Sequence, residues 1–239
     1  MKTVIIHGQS HKGSSYHIGR MLANQIAQEN EITEFFLPKD LNHFCIGCCQ
    51  CLDSETKCPF YAEKQVIESA IEAAEILIFT TPTYCMRTSA PMKSFIDLTF
   101  INWMPHRPKA CMFRKKAVVI ATAAGGGSKK AIKDITNTLF YWGIPYIKSL
   151  GFNVVALKWQ KVNEQTKQKI ERKIMQLSDT LKKTGTPKVG LITKIIFNLF
   201  RSNIKKIDIQ STPFESDYLH WYNNGWLGKA RPWKAEQGQ

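Results

Sequence analysis

Three segments of the chain concentrate residue types suited to holding a ligand. The first reads His7-Gly8-Gln9-Ser10-His11-Lys12-Gly13-Ser14-Ser15-Tyr16 and joins an apolar run to a helical pattern. Ser10, Ser14 and Ser15 bring hydroxyl donors and Lys12 a positive charge. The amides of residues 13–16 fall at a helix N-terminus, where unpaired N–H groups and the helix dipole favour an anion. The spacing matches neither G-x-G-x-x-G nor G-x-x-x-x-G-K-[ST], so a single phosphate monoester fits better than a dinucleotide or a nucleoside triphosphate. A solvated serine-rich turn is the competing reading. The second segment, residues 80–97 (TTPTYCMRTSAPMKSFID), sets Pro82, Thr83, Tyr84, Cys85 and Met86 between a buried strand and a helix. A proline-stiffened loop with an aromatic and a polar backbone suits the edge of a planar ring; packing of Tyr84 at a helix entry is the alternative. The third, residues 121–127 (ATAAGGG), follows Ala124 with Gly125, Gly126 and Gly127. Three glycines permit close backbone approach to a ligand, and they also describe a flexible turn.

Residues 45–58 hold five of the seven cysteines. The spacing Cys45-x2-Cys48-x2-Cys51-x6-Cys58, with Cys49 inside it, suits four thiolates on a 4Fe–4S cluster or a tetrahedral zinc. Packing of the loop, or a reversible thiol switch, fits the same residues. The N-terminus (MKTVIIHG) has too short an apolar stretch for a secretory signal, so a cytoplasmic setting is expected and disulfides are not.

The elements that position these loops follow from periodicity. Short β-rich runs at 2–7, 32–37, 75–80, 116–122 and 152–157 alternate with helical patterns at 14–28, 61–74, 91–101, 129–142 and 163–183. That alternation predicts a parallel α/β sheet covered by helices on both faces. Ligands of such sheets lie beyond the carboxyl ends of the strands, where all three loops fall. A basic amphipathic helix is expected at 190–206 and an irregular aromatic tail at 211–239, with Tyr218, Trp221, Tyr222, Trp226 and Trp233 docked on the domain or on a second copy.

With 239 residues, 44% hydrophobic and 22% charged, the chain is long enough for a continuous core and excludes disorder or collagen. No apolar run reaches the length of a spanning helix. The net charge of +14 is uneven: residues 1–157 hold 17 basic and 12 acidic residues, residues 158–239 hold 16 and 7. A solvated lysine-rich helix face is the favoured explanation over anionic partners.

Taken together, HGQSHKGSSY, TPTYCMRTSAPMKSFID and ATAAGGG resemble the loops of the NAD(P)H-dependent FMN reductase-like flavoproteins of the flavodoxin superfold. The resemblance spans roughly residues 1–185. It implies a three-layer α/β sandwich with a five-stranded parallel sheet in the order 2-1-3-4-5, followed by a C-terminal extension at 186–239. It implies FMN, with phosphate on Ser10, Lys12, Ser14 and Ser15 and on the helix start at Gly13 and Tyr16. The ring would lie along Pro82, Thr83, Tyr84, Cys85 and Met86, with Ala124, Gly125, Gly126 and Gly127 closing the other edge. A homodimer is also implied. Gln9 and His11 depart from the family's frequent G-S-P-R-K, which alters the phosphate donors. The cysteine loop resembles that of the iron–sulfur flavoproteins, a branch of the same family; Cys45, Cys48, Cys51 and Cys58 would then be the cluster ligands.

The expected activity is transfer of reducing equivalents from NAD(P)H through FMN to a small acceptor: a quinone, a nitro compound, a flavin or an iron centre. The flavin performs the redox step, so no catalytic side chain is named. An electron carrier without NAD(P)H turnover is the alternative, disfavoured by a sequence pI of about 9.5. A sensor signalling through its basic tail is the third reading. No nucleic-acid module is present, so no nucleic acid is expected; membrane-surface contact is open but not favoured. Of the remaining polar residues, His7 is expected to be a paired core residue and Asp97 to pair with Lys93. His106 and Arg107 fit either a surface turn or a substrate contact. Cys85 and Cys111 are expected to pack as small apolar groups.

Overall fold

The computed structural model describes residues 1–156, 158–208 and 213–234. In chain order the elements are β1 (Thr3–His7), α1 (Ser14–Ile26), β2 (Ile32–Phe36), α2 (Gln50–Asp53), α3 (Tyr61–Ala73), β3 (Ile76–Tyr84), β4 (Arg87–Thr88), α4 (Ala90–Leu98), β5 (Lys116–Ala123), α5 (Ser128–Tyr141), β6 (Tyr146–Asn153), α6 (Glu164–Lys183), α7 (Leu191–Ile204) and α8 (Glu215–Asn223). Five strands run parallel in the order β2-β1-β3-β5-β6, and β4 folds back antiparallel onto β3. This is the expected three-layer flavodoxin-like sandwich.

Side chains alternate across the sheet because successive strand residues point to opposite faces. Val4, Ile6, Leu77, Phe79, Ala117 and Val119 pack with α3, α4 and α5. Ile5, Ile76, Ile78, Val118 and Ile120 pack with α1 and α6. Both faces are therefore apolar, which is why β1, β3 and β5 read as unbroken hydrophobic runs. Two lysines close helix ends. The Lys115 ammonium donates to the Glu72 and Ala74 carbonyls at the end of α3, and Lys116 donates to the Leu181 and Thr184 carbonyls at the end of α6. Unpaired carbonyls and the negative end of the dipole favour a cation there. Burial lowers the pKa of both lysines.

Three expectations shift. The last strand is Tyr146–Asn153, not 152–157; Leu157 itself lies outside the described residues. Among the described residues β6 pairs only with β5; Lys148 and Ser149 on it are exposed and break the apolar signal. The helix expected at 91–101 ends at Leu98 and gives way to a tight turn at Phe100–Asn102. The tail is not wholly irregular, since α8 spans Glu215–Asn223. Its aromatics mask the helical period: Trp221 is buried, while Tyr222 is exposed. Phe197 and Ile204 of α7 join Trp221, Trp226, Met104, Phe113 and Val189 in a third core, with Trp233 packed against it.

Candidate functional site

The loops after β1, β3 and β5 meet at the centre of the sheet, because those strands are neighbours. Named contacts stitch them together. The Gly8 amide donates to the Thr80 carbonyl at 2.7 Å. The Ser89 hydroxyl donates to the Gly8 carbonyl at 2.6 Å, and the Ser89 amide donates to Thr81 Oγ1 at 3.1 Å. On the other side, a Cβ on Gly127 would stand 2.8 Å from Met86 Cα and 2.9 Å from Thr83 Cγ2. Gly127 also has φ +89°, so glycine is required there both for room and for backbone angle.

In the first loop, Ser10, His11 and Lys12 are exposed and Ser14 is half-buried. Gly13 caps α1 without a side-chain partner for the first-turn amides, and no acidic residue sits in that turn. The Lys12 ammonium lies 5.1 Å from the centre of the Tyr16 ring. Burial, and then the charge of Lys12, lower the pKa of His17 one turn further on. Ser15 is the exception among the proposed donors. It is buried and accepts a 3.0 Å hydrogen bond from Gln9 Nε2, which leaves Gln9 Oε1 buried without a partner. Gln9 departs from the family's frequent serine and braces the loop, donating to the His11 carbonyl and to Ser15 Oγ.

The second loop is a two-residue hairpin between β3 and β4. Thr83 pairs with Thr88 and Tyr84 with Arg87, leaving Cys85 (φ +48°) and Met86 (φ +64°) at the turn. Both central residues of such a turn need positive φ, a region that side chains with a Cβ enter at a cost. The strained pair is held by Asp134 of α5, which accepts from Arg87 Nε at 3.0 Å, Arg87 at a second nitrogen at 2.6 Å and the Thr88 amide at 3.3 Å. Tyr84, Cys85 and Met86 are exposed, so Cys85 does not pack as a small apolar group: the turn pushes its side chain outward. Cys111 is half-buried against the α3–α5 core, and burial raises its thiol pKa. Thr83 Oγ1 is buried and unpaired. In the third loop Ala124, Gly125 and Gly126 are exposed, and a Cβ on Gly125 would meet nothing within 4 Å.

His7 is a paired core residue. Its Nδ1 meets Thr80 Oγ1 at 2.8 Å and its Nε2 meets Glu34 at 3.0 Å. Burial opposes ionisation of Glu34, but the His7 hydrogen bond and the charge of Arg20 outweigh it and hold the carboxyl below its ordinary pKa. Lys93 donates to both oxygens of Asp97, at 2.5 and 2.7 Å.

The cysteine loop lies between β2 and α3. Cys45, Cys48, Cys49, Cys51 and Cys58 all line one largely apolar cavity, with Asp97, Leu98 and Phe100 opposite. All seven thiols are free. Burial raises the Cys51 pKa, and nearby Cys58 and Cys45 add to the rise while Lys64 opposes it. Among the described residues no three His, Cys, Asp or Glu side chains gather so as to hold one metal ion. Arg107 and His106 turn out to serve this loop. The buried Arg107 guanidinium donates to the Cys51 and Leu52 carbonyls and lies 3.4 Å from Asp217 of α8. Asp217, almost fully buried, also meets His106 Nδ1 at 2.8 Å. Ser216 donates to the Asp53 carbonyl. Helix α8 thus clamps the cysteine loop from 163 residues away, a pairing that neither local sequence announces.

A family model for NADPH-dependent FMN reductase matches residues 1–157. The chain belongs to the NADPH-dependent FMN reductase family. Within reach of that family, an iron–sulfur flavoprotein of Methanocaldococcus jannaschii is 30% identical over 145 residues, covering 57% of this chain and 70% of the relative. The iron–sulfur flavoprotein of Archaeoglobus fulgidus is 25% identical over 127 residues, covering 52% and 56%. Among solved structures, an FMN-dependent NADH-azoreductase from Bacillus anthracis in complex with FMN superposes with a TM-score of 0.54 at 14% identity, over 74% of this chain and all of that one. The flavoenzyme NAD(P)H:(acceptor) oxidoreductase of Paracoccus denitrificans gives 0.51 at 19% identity, over 77% and 98%. At such identities the shared property is the fold.

Proposed function

We propose that the protein binds FMN against the loops after β1, β3 and β5 and uses NAD(P)H to reduce a small acceptor such as a quinone, a nitro compound, a flavin or an iron centre. The observation behind this reading is the stitching of the loops after β1, β3 and β5 through Gly8, Ser89, Gly127 and Met86. The donor set suits a phosphate monoester: uncapped amides at the start of α1, the Ser10 and Ser14 hydroxyls and the Lys12 charge. The unpaired Gln9 Oε1 and Thr83 Oγ1 add polar groups awaiting partners. Bound FMN supplies a redox centre able to take two electrons from a nicotinamide and pass them on.

The chain's own residues bind, orient and cover. Lys12 and the α1 amides hold the anion through charge and dipole. The hairpin at Tyr84, Cys85 and Met86, pinned by Asp134, offers backbone to a ring edge, and Gly125 and Gly126 leave the opposite edge open. Ser15 accepts from Gln9 and keeps its own O–H as a donor for the phosphate. Steady-state NADPH oxidation by FMN-loaded protein with a quinone acceptor tests the reading; flavin binding without turnover on any acceptor would leave an electron carrier instead.

A second reading adds a 4Fe–4S cluster on Cys45, Cys48, Cys51 and Cys58. These four cysteines would hold the cluster, which would supply one-electron chemistry. The shared cavity and the names of the two archaeal relatives favour it. Iron and acid-labile sulfide in anaerobically purified protein test it. Residues 186–239 are proposed as an extension of a domain at 1–185, in a cytoplasmic homodimer. Among the described residues no helix is long and apolar enough to cross a membrane.

A further inference from the structure

Helix α7 is apolar on two sides. One face carries Thr193, Phe197 and Ile204 into the third core, where Phe197 stacks on Trp221 at 4.6 Å. The opposite face presents Leu191, Ile192, Ile195 and Leu199 to solvent, with 72%, 67%, 58% and 58% of their surfaces exposed. At 100° per residue these four form one continuous stripe, with Lys194, Asn198 and Lys205 along its border. Single exposed leucines are ordinary, but four on one helix face mark an interaction surface.

The charge around the stripe indicates the occupant. Residues 180–207 contain seven basic residues (Lys182, Lys183, Lys188, Lys194, Arg201, Lys205 and Lys206) and no acidic one. Arg201 is engaged with the carbonyls of Trp226, Leu227 and Gly228, while the six lysines are exposed. A second copy packed face to face through this helix would bring the same lysines against themselves without an acid in either segment. A surface that is apolar along its centre and negative around it matches both features.

We propose that α7 is an interfacial helix that seats the protein on an anionic phospholipid bilayer, with Leu191, Ile192, Ile195 and Leu199 entering the headgroup–acyl boundary and the flanking lysines meeting lipid phosphates. Such helices lie in the membrane plane, and their affinity combines buried apolar area with charge attraction. The proposal does not depend on the flavin reading.

The test is co-sedimentation of the full chain with phosphatidylcholine vesicles, with and without phosphatidylglycerol. Binding at least about tenfold stronger to the anionic vesicles, and weakened by about 0.5 M salt, is expected. Ile192→Asp with Ile195→Asp should reduce vesicle affinity at least about tenfold with no change in melting temperature, because both positions are exposed. Lys194→Gln with Lys205→Gln should reduce the preference for anionic lipid and leave the fold intact. No vesicle binding, equal binding to neutral vesicles, or full binding by the isoleucine variant would each overturn the proposal. So would a dimer that the isoleucine variant converts to monomer without any vesicle binding, which would assign the stripe to a second copy.

Discussion

Replacing Gly127 and Gly125 separately by alanine distinguishes what the glycine run does for the fold from what it does for a ligand. In Gly127→Ala the new Cβ would lie 2.8 Å from Met86 Cα, a backbone atom, and the residue would keep φ +89°. A left-handed angle costs a side chain about 1–2 kcal/mol, and the hairpin must shift as well. The apoprotein should therefore lose about 2 kcal/mol, read as a melting temperature lower by about 4–8 °C. Gly125→Ala meets nothing within 4 Å and has no positive φ, so apoprotein stability should stay within about 0.5 kcal/mol of the parent. If Gly125 faces the ring edge, its methyl group takes space the ligand needs, and FMN affinity should fall at least about tenfold, equivalent to about 1.4 kcal/mol. Thermal melts and fluorescence titration with FMN measure the two effects. Gly125→Ala binding FMN as well as the parent would refute the placement of the ring edge. An unchanged melting temperature in Gly127→Ala would refute the packing argument itself.

Three further outcomes follow from the same geometry. Met86→Gly removes the cost of φ +64° at the second turn position and should raise apoprotein stability by about 1 kcal/mol, measured by urea denaturation. Arg107→Met takes the guanidinium away from Asp217, which keeps His106, and removes the donor from the Cys51 and Leu52 carbonyls; a loss of about 3 kcal/mol and faster alkylation of Cys51 are expected, and unchanged thiol reactivity would contradict the clamp. Burial lowers the pKa of His220 below 6.5, outweighing its hydrogen bond to the Pro108 carbonyl. A lowered folded pKa means the unfolded chain binds more protons below pH 6.5, so stability falls as pH drops from 6.5 through the folded value. His220→Gln should flatten that part of the pH profile in thermal melts.

The strands at the centre of the sheet were readable because β1, β3 and β5 are apolar on both faces and each is followed by a conspicuous loop. Edge strand β6 was displaced in the sequence reading because exposure of Lys148 and Ser149 removes the hydrophobic pattern. The three loops could be named from local chemistry, since serine, lysine, proline and glycine each signal a backbone or ligand role on their own. What joins them could not. The Ser89 bond to Gly8 spans 81 residues and the Asp134 anchor of Arg87 spans 47, and nothing in either local sequence announces the partner. His106 and Arg107 showed the same limit: their types suit a substrate anion, but α8 returns to occupy them. Cys85 looked like a packing residue until the hairpin placed it at a turn position that faces outward. The apolar face of α7 was legible in Leu191, Ile192, Ile195 and Leu199, but not that these residues stay exposed while Phe197 and Ile204 turn into the third core.

In the proposed function one phosphate monoester anchors a flavin at the start of α1. Isothermal titration of apoprotein with FMN and with riboflavin, which lacks the phosphate, tests it most directly. One FMN per chain is predicted, with riboflavin bound at least about a hundredfold more weakly, because the charge-assisted bonds at Lys12 and the α1 amides vanish with the phosphate. Equal affinity for the two, or no uptake of either, would contradict the account.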